Sequence, residues 1–173
     1  MVSFIKKHGQ LLKPKLKRLQ ELQTEIFRQL QILMPDDYAL YDSFQSQVPG
    51  SPLLKMDVLE RHPYTHFLRL TYQFEKDEQH EIAPDAHIRL YNDARMAEVT
   101  SFNADQGFNR SIHPWYPGQP LLQRSWHQNR ALDKWLGYLL HQGHNVKTML
   151  PSSSKISGKE AIPVKHSANI SRR

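Results

Sequence analysis

The chain has 173 residues, 23 Lys and Arg, 17 Asp and Glu, and no cysteine. That length suits one domain with a real core. The missing cysteines exclude a disulfide framework, a thiolate nucleophile, a Cys–zinc site and an iron–sulfur cluster. The net charge of +6 points toward an acidic partner such as nucleic acid or a membrane surface.

The charge sits at the two ends. Residues 1–33 hold seven basic side chains against Glu21 and Glu25, and residues 151–173 hold five against Glu160. Residues 34–150 hold eleven basic and fourteen acidic side chains, a balance of −3. A basic N-terminal segment, residues 1–15, therefore leads a domain over 16–150. A serine-rich basic tail, 151–173, follows and reads as disordered. No apolar run reaches the length of a signal-peptide core or a transmembrane segment, so the chain reads as cytoplasmic, with a surface-bound amphipathic start as the alternative.

In chain order, the first element is a helix from about Pro14 to Leu33. Leu19, Leu22, Ile26, Leu30 and Leu33 recur at spacings of three and four and line one face. Pro14 suits the first turn and Pro35 the stop. Pro and Gly then mark loop over 35–53, with a short strand near Tyr38–Tyr41. Four alternating stretches follow, Leu54–Val58, Leu68–Phe74, Ala86–Leu90 and Met96–Thr100, and each reads as a strand. The charged Glu75–Asp85 stretch and the Asn92-Asp93 pair supply connections, and short links favour antiparallel neighbours. After a loop over 101–121, a second helix runs from Trp126 to Gln142. Ser125 and Gln128 fit a capping box, Leu132, Trp135, Leu136, Leu139 and Leu140 form its apolar stripe, and Gly143 suits its end. The expected fold is α+β: an antiparallel sheet of about four or five strands with an N-terminal and a C-terminal helix packed on one face.

Two runs resemble a known family. They are Arg89-Leu-Tyr-Asn-Asp-Ala-Arg-Met-Ala-Glu-Val99 and Gln123-Arg-Ser-Trp-His-Gln-Asn-Arg-Ala-Leu-Asp-Lys-Trp-Leu136. Both are similar to the YqiB-like family of uncharacterised proteobacterial proteins, which carries the label domain of unknown function 1249. The shared positions are Arg89, Leu90, Tyr91, Asp93, Ala94, Ala97, Glu98 and Val99, then Asn129, Leu132, Trp135 and Leu136. Tyr116-Pro117 and Leu33-Met34-Pro35 also fit. The resemblance covers residues 16–145 and leaves most of both basic ends outside. The chain departs from the family's pattern before the second helix, where Ser125 stands in place of a basic residue. The resemblance implies no established activity. It does imply a nucleotide-related setting, because family members are often encoded beside enzymes that hydrolyse nucleotides.

Alternation puts Arg69, His87, Arg89, Tyr91 and Glu98 on the polar side of the sheet. Arginines suit a phosphate or carboxylate, and Tyr91 suits stacking on a base, with Glu98 orienting an arginine. The competing reading is a solvated face with cross-strand ion pairs such as Arg89–Glu98. Asp93 and Glu98 form a candidate acid–base pair for a hydrolase, against a plain turn-capping role for Asp93. No nucleophile-elbow, zinc-protease or phosphate-loop motif accompanies them, so no catalytic residue is assigned.

Trp115 and Tyr116, stiffened by flanking prolines, either fold back to cover the sheet edge or offer a surface for another protein or for base stacking. Asn129 falls beside the apolar stripe of its helix, where a buried amide must be hydrogen-bonded, and the expected job is to pin the 101–121 loop. His62 with His66, and His141 with His144, bring no third ligand at a telling spacing, so no metal and no cofactor is assigned. The expected function is a small accessory or binding protein. It recognises a nucleotide or nucleic acid, the latter through the basic ends, or acts as an adaptor through Trp115 and Tyr116.

Overall fold

The computed structural model describes residues 2–76, 79–103 and 121–152, with side chains described over 15–74, 84–103 and 121–152. Trp115, Tyr116 and the tail from residue 153 lie outside these ranges. Helix α1 spans Val2–Leu33, a 3-10 turn spans Tyr38–Leu40, and strands β1 (Ser43–Ser46), β2 (Leu53–Arg61), β3 (Thr65–Lys76), β4 (Gln79–Tyr91) and β5 (Met96–Asn103) follow. Helix α2 (Leu121–Gln142) and strand β6 (Met149–Pro151) complete the described chain. The sheet is antiparallel in the order β5-β4-β3-β2-β1-β6. The α+β fold is as expected, but the sheet has six strands rather than four or five.

The core forms as strand alternation predicts. Leu54, Met56, Val58, Leu68, Leu70, Tyr72, Ile88, Leu90, Ala97 and Val99 are buried on one face of the sheet. Leu22, Ile26, Phe27, Leu30 and Leu33 of α1 and Leu132, Trp135, Leu136 and Leu139 of α2 join the same cluster. Each such side chain, fully buried, is stabilised by about 1.5–3 kcal/mol relative to exposure. Both helices therefore occupy one face.

Several boundaries differ from the sequence reading. Helix α1 begins at Val2, so Pro14 lies in its interior and not in the first turn. Helix α2 begins at Leu121, which puts Ser125 inside it. The Ser125 carbonyl accepts from Asn129 Nδ2 at 2.8 Å, so Ser125 and Gln128 are not a capping box. Tyr38–Leu40 is a 3-10 turn and not a strand, closed by Tyr38 N–H to Pro35 O and Leu40 N–H to Asp37 O. Gly143 does end α2, with φ of 101° and a His144 N–H donating to Leu139 O at 3.1 Å. That left-handed backbone is one that glycine adopts freely.

The Glu75–Asp85 stretch is mostly strand. It forms the end of a long β3–β4 hairpin. Thr71 pairs with Asp85 and Gln73 with Ile82, so Ala83 and Pro84 together oppose Tyr72 in a bulge. Proline, lacking an N–H, fits a bulge where ladder pairing is interrupted. A second bulge in β5 at Thr100 resets the alternation, which turns Phe102 toward the core.

Candidate functional site

Strands β3, β4 and β5 are adjacent, which brings the polar-face residues onto one surface. Among the described residues, no helix or strand lies over this face. The five candidate residues do not form one cluster. They divide into two networks.

In the first network, Arg69 holds Asp85 through two parallel bonds. Nε donates to Oδ1 and Nη2 to Oδ2, each at 2.9 Å. His87 Nε2 stands 3.8 Å from Asp85 Oδ1. Donating these hydrogen bonds to Asp85 raises the Arg69 pKa above its ordinary value. Fork-to-carboxylate geometry of this kind is specific as well as charge-matched.

The second network is built on Arg89 and Glu98, which are paired directly across β4 and β5. Tyr91 donates its hydroxyl to Glu98 Oε1 at 2.8 Å, and Arg89 Nη1 reaches Glu98 Oε1 at 3.4 Å and Tyr91 OH at 3.3 Å. Gln23 of α1 donates to the other carboxylate oxygen at 3.3 Å. Burial is the main cause that raises the Tyr91 pKa, so its hydroxyl keeps the proton it donates. The Arg89 guanidinium lies 5.0 Å from the ring centroid of Phe67, a cation–π contact. Arg89 Nε is buried without an acceptor, and among the described residues only Nη1 of this guanidinium is hydrogen-bonded. The arginine is thus held in place on one side and retains donor capacity on another.

Three participants escape the sequence reading. Asp85 was assigned to a connection, although it shares the face of His87 and Arg89 once β4 is extended to include it. Phe67 sits just ahead of the expected strand start. Gln23 is a polar position in a helical stripe, and only the crossing of α1 over the β5 edge brings it to Glu98.

The remaining candidates take other positions. Asp93 is exposed in the turn after β4, where Arg95 adopts φ of 53°, and its carboxylate has no hydrogen bond among the described residues. Asn129 is fully buried and accepts from Val99 N–H at 3.2 Å. It therefore secures edge strand β5 to α2, while most of the loop it was expected to pin, residues 104–120, lies outside the described residues. Trp135 is buried edge-on against Tyr72 and Phe102. His62 lies 3.1 Å from Glu60 at the surface. His66 is buried, with Nδ1 2.6 Å from Tyr38 OH.

His144, also buried, occupies a site that the sequence did not reveal. Thr148 Oγ1 donates to Asn145 O, and Ser46 Oγ donates to Thr148 Oγ1 at 2.7 Å. The single Ser46 proton is then spent, so Ser46 Oγ accepts from His144 Nδ1–H at 2.8 Å. His144 Nε2 accepts from Tyr72 OH at 3.2 Å. Burial pushes the Tyr72 pKa up to about 12 and lowers that of His144. Both shifts fit a neutral imidazole beside a protonated phenol.

Comparison with known families gives one match, over residues 29–145. The chain belongs to the family described as Protein of unknown function (DUF1249). The match begins within the last part of α1, later than the resemblance implied, and takes in both polar networks apart from Gln23. No curated protein and no solved structure matches the chain. Membership in the DUF1249 family thus brings no activity with it.

Proposed function

We propose that this protein is a binding module whose ligand lies on the polar sheet face, at Arg89, Tyr91 and Glu98 with Arg69 and His87 beside them. The observation that supports this reading is the state of Arg89. Its guanidinium is positioned by Phe67, Tyr91 and Glu98, yet among the described residues only its Nη1 is hydrogen-bonded. A planar fork held in advance loses less entropy when it takes an anion.

Charge on the face narrows the ligand. Lys55, Arg69 and Arg89 stand against Asp57, Glu60, Asp85 and Glu98, so the surface is close to balanced, with one more acid than base. A balanced surface favours a ligand with few charges, such as a mononucleotide, over a nucleic-acid strand, whose affinity rests on many cationic contacts. Half-exposed Phe67 and Tyr91 suit the flat face of a base.

A thermal-shift screen of mononucleotides tests the proposal. A ligand at a hundred times its dissociation constant stabilises the fold by about 2.7 kcal/mol. Arg89→Ala is expected to lose that shift while the unliganded protein still unfolds cooperatively. A shift that persists unchanged in Arg89→Ala, or no shift with any nucleotide, ends the proposal.

A further inference from the structure

Helix α1 spans Val2–Leu33, about 48 Å at the usual rise per residue. Its described side chains, from Lys15 onward, are packed on the domain from Leu19. Leu19, Leu22, Ile26, Phe27 and Leu30 are buried, but residues 15, 16, 17 and 18 are all exposed, with Leu16 at 49%. Four consecutive residues go once around a helix, so α1 has solvent on every side at that turn. The backbone helix nevertheless continues to Val2.

The sequence of this outer half keeps the apolar period of the packed half. At about 100° per residue, positions Phe4, Ile5, Leu12 and Leu16 fall on the arc defined by Leu19, Leu22, Ile26, Phe27 and Leu30, and Leu11 falls about 20° beyond its edge. Lys6, Lys7, Lys13, Lys17 and Arg18 fall outside that arc, and Lys15 and His8 fall within it. No acidic residue precedes Glu21. The outer half also contains Gly9 and Pro14, the two residue types least suited to a helix interior. A helix of that composition is marginal in water without a surface to take up its apolar stripe.

We infer that the outer half of α1 docks on an anionic lipid surface, its apolar arc toward the acyl chains and its bases at the headgroups. A stripe of five large apolar positions beside a cluster of bases has the form of an interfacial helix. Nucleic acid would engage the bases and leave the stripe in water. A second copy would bring six cations against six with no acidic residue to offset them. No helix among the described residues is long and apolar enough to cross a membrane, which leaves a position in the interface.

The test is co-sedimentation of the full chain with phosphatidylcholine vesicles, with and without phosphatidylglycerol. Binding is expected to the anionic vesicles alone and to weaken as salt rises. Each cation near such a surface contributes roughly a fivefold factor, so Lys6→Gln, Lys7→Gln and Lys13→Gln together lower binding roughly a hundredfold. Leu11→Glu with Leu12→Glu abolishes it, at an unchanged melting temperature. Phe4→Glu with Ile5→Glu, further from the packed body, repeats the test if that first pair lowers the melting temperature. Failure to sediment with anionic vesicles overturns the inference, as does equal binding to neutral ones. Duplex DNA binding that survives Leu11→Glu with Leu12→Glu would assign the bases to nucleic acid instead. A dimer lost in that same variant would assign the stripe to self-association.

Discussion

Asn129 shows how one side chain can hold two elements together. It sits on α2, is fully buried, and uses both ends of its amide: Oδ1 takes Val99 N–H from β5, and Nδ2 gives to Ser125 O one turn back along the helix. Strand β5 is a sheet edge, where backbone donors lack a neighbouring strand. Replacing the amide with a methyl group leaves Val99 N–H buried and unpaired, which costs about 1–3 kcal/mol. Asn129→Ala is therefore expected to lower the urea midpoint at an unchanged slope, by an amount in that range. A loss below about half a kcal/mol, the level of an ordinary surface change, would show that water replaces the amide. The same residue belongs to the second of the two runs that resemble the family, with core residues Leu132 and Leu136, and the first run supplies core residues Leu90, Ala97 and Val99. Much of that run maintains the hairpin and the helix against it. Arg89, Tyr91 and Glu98 are the members left on the polar face.

At the scale of elements, the strands with clean alternation were legible in the sequence and the short ones were not. β2, β3, β4 and β5 carry large apolar residues at every second place, and the structure buries them on one side. β1 is Ser-Phe-Gln-Ser, with only Phe44 to signal a buried face, because the other inward residue is Ser46. β6 has three residues and ends in Pro151, at the boundary where serine and lysine begin to dominate. The two polar networks were legible as a set of face residues. Their division was not, because it depends on Asp85 and on a bulge that period-two counting cannot place. The Ser46–His144–Tyr72 contact joins residues far apart in the chain, and no local pattern announces it.

That contact secures the β6 edge. Ser46 of β1 supplies the acceptor for His144 Nδ1–H and the donor to Thr148, just before β6. Ser46→Ala removes both in a site with no exposure at all. The expected cost is about 1–3 kcal/mol, the range for leaving a buried polar group unpaired. Hydrogen exchange should show where it falls. Ser152 N–H, bonded to Ser43 O at 2.9 Å, is expected to exchange faster, while amides of β3 and β4 change only with global stability. Uniform acceleration across the whole sheet would refute a local role for this contact.

For the whole molecule, two buried histidines set a lower pH limit on stability. His66 is held by Tyr38, and His144 by Ser46 and Tyr72. Burial is the first cause in both cases and lowers each pKa below the ordinary 6.5, helped at His66 by the Arg61 charge. A lowered histidine pKa means that the folded protein refuses a proton the unfolded chain accepts. The stability from this source is complete above about pH 6.5. It is lost as pH falls from there toward the lowered folded values. The slope reaches up to about 1.4 kcal/mol per pH unit for each histidine within that window. The groups around His144 are hydroxyls, and none of them supplies a negative charge to offset protonation. His144→Gln retains a donor and an acceptor but cannot titrate. Its stability is expected to be lower than wild type at pH 7.5 and to fall less steeply below pH 6.5, so that the two curves converge. Parallel curves through the whole range would mean that His144 accepts its proton in the folded state without cost, and the hydrogen-bond order assigned through Thr148 and Ser46 would then be wrong.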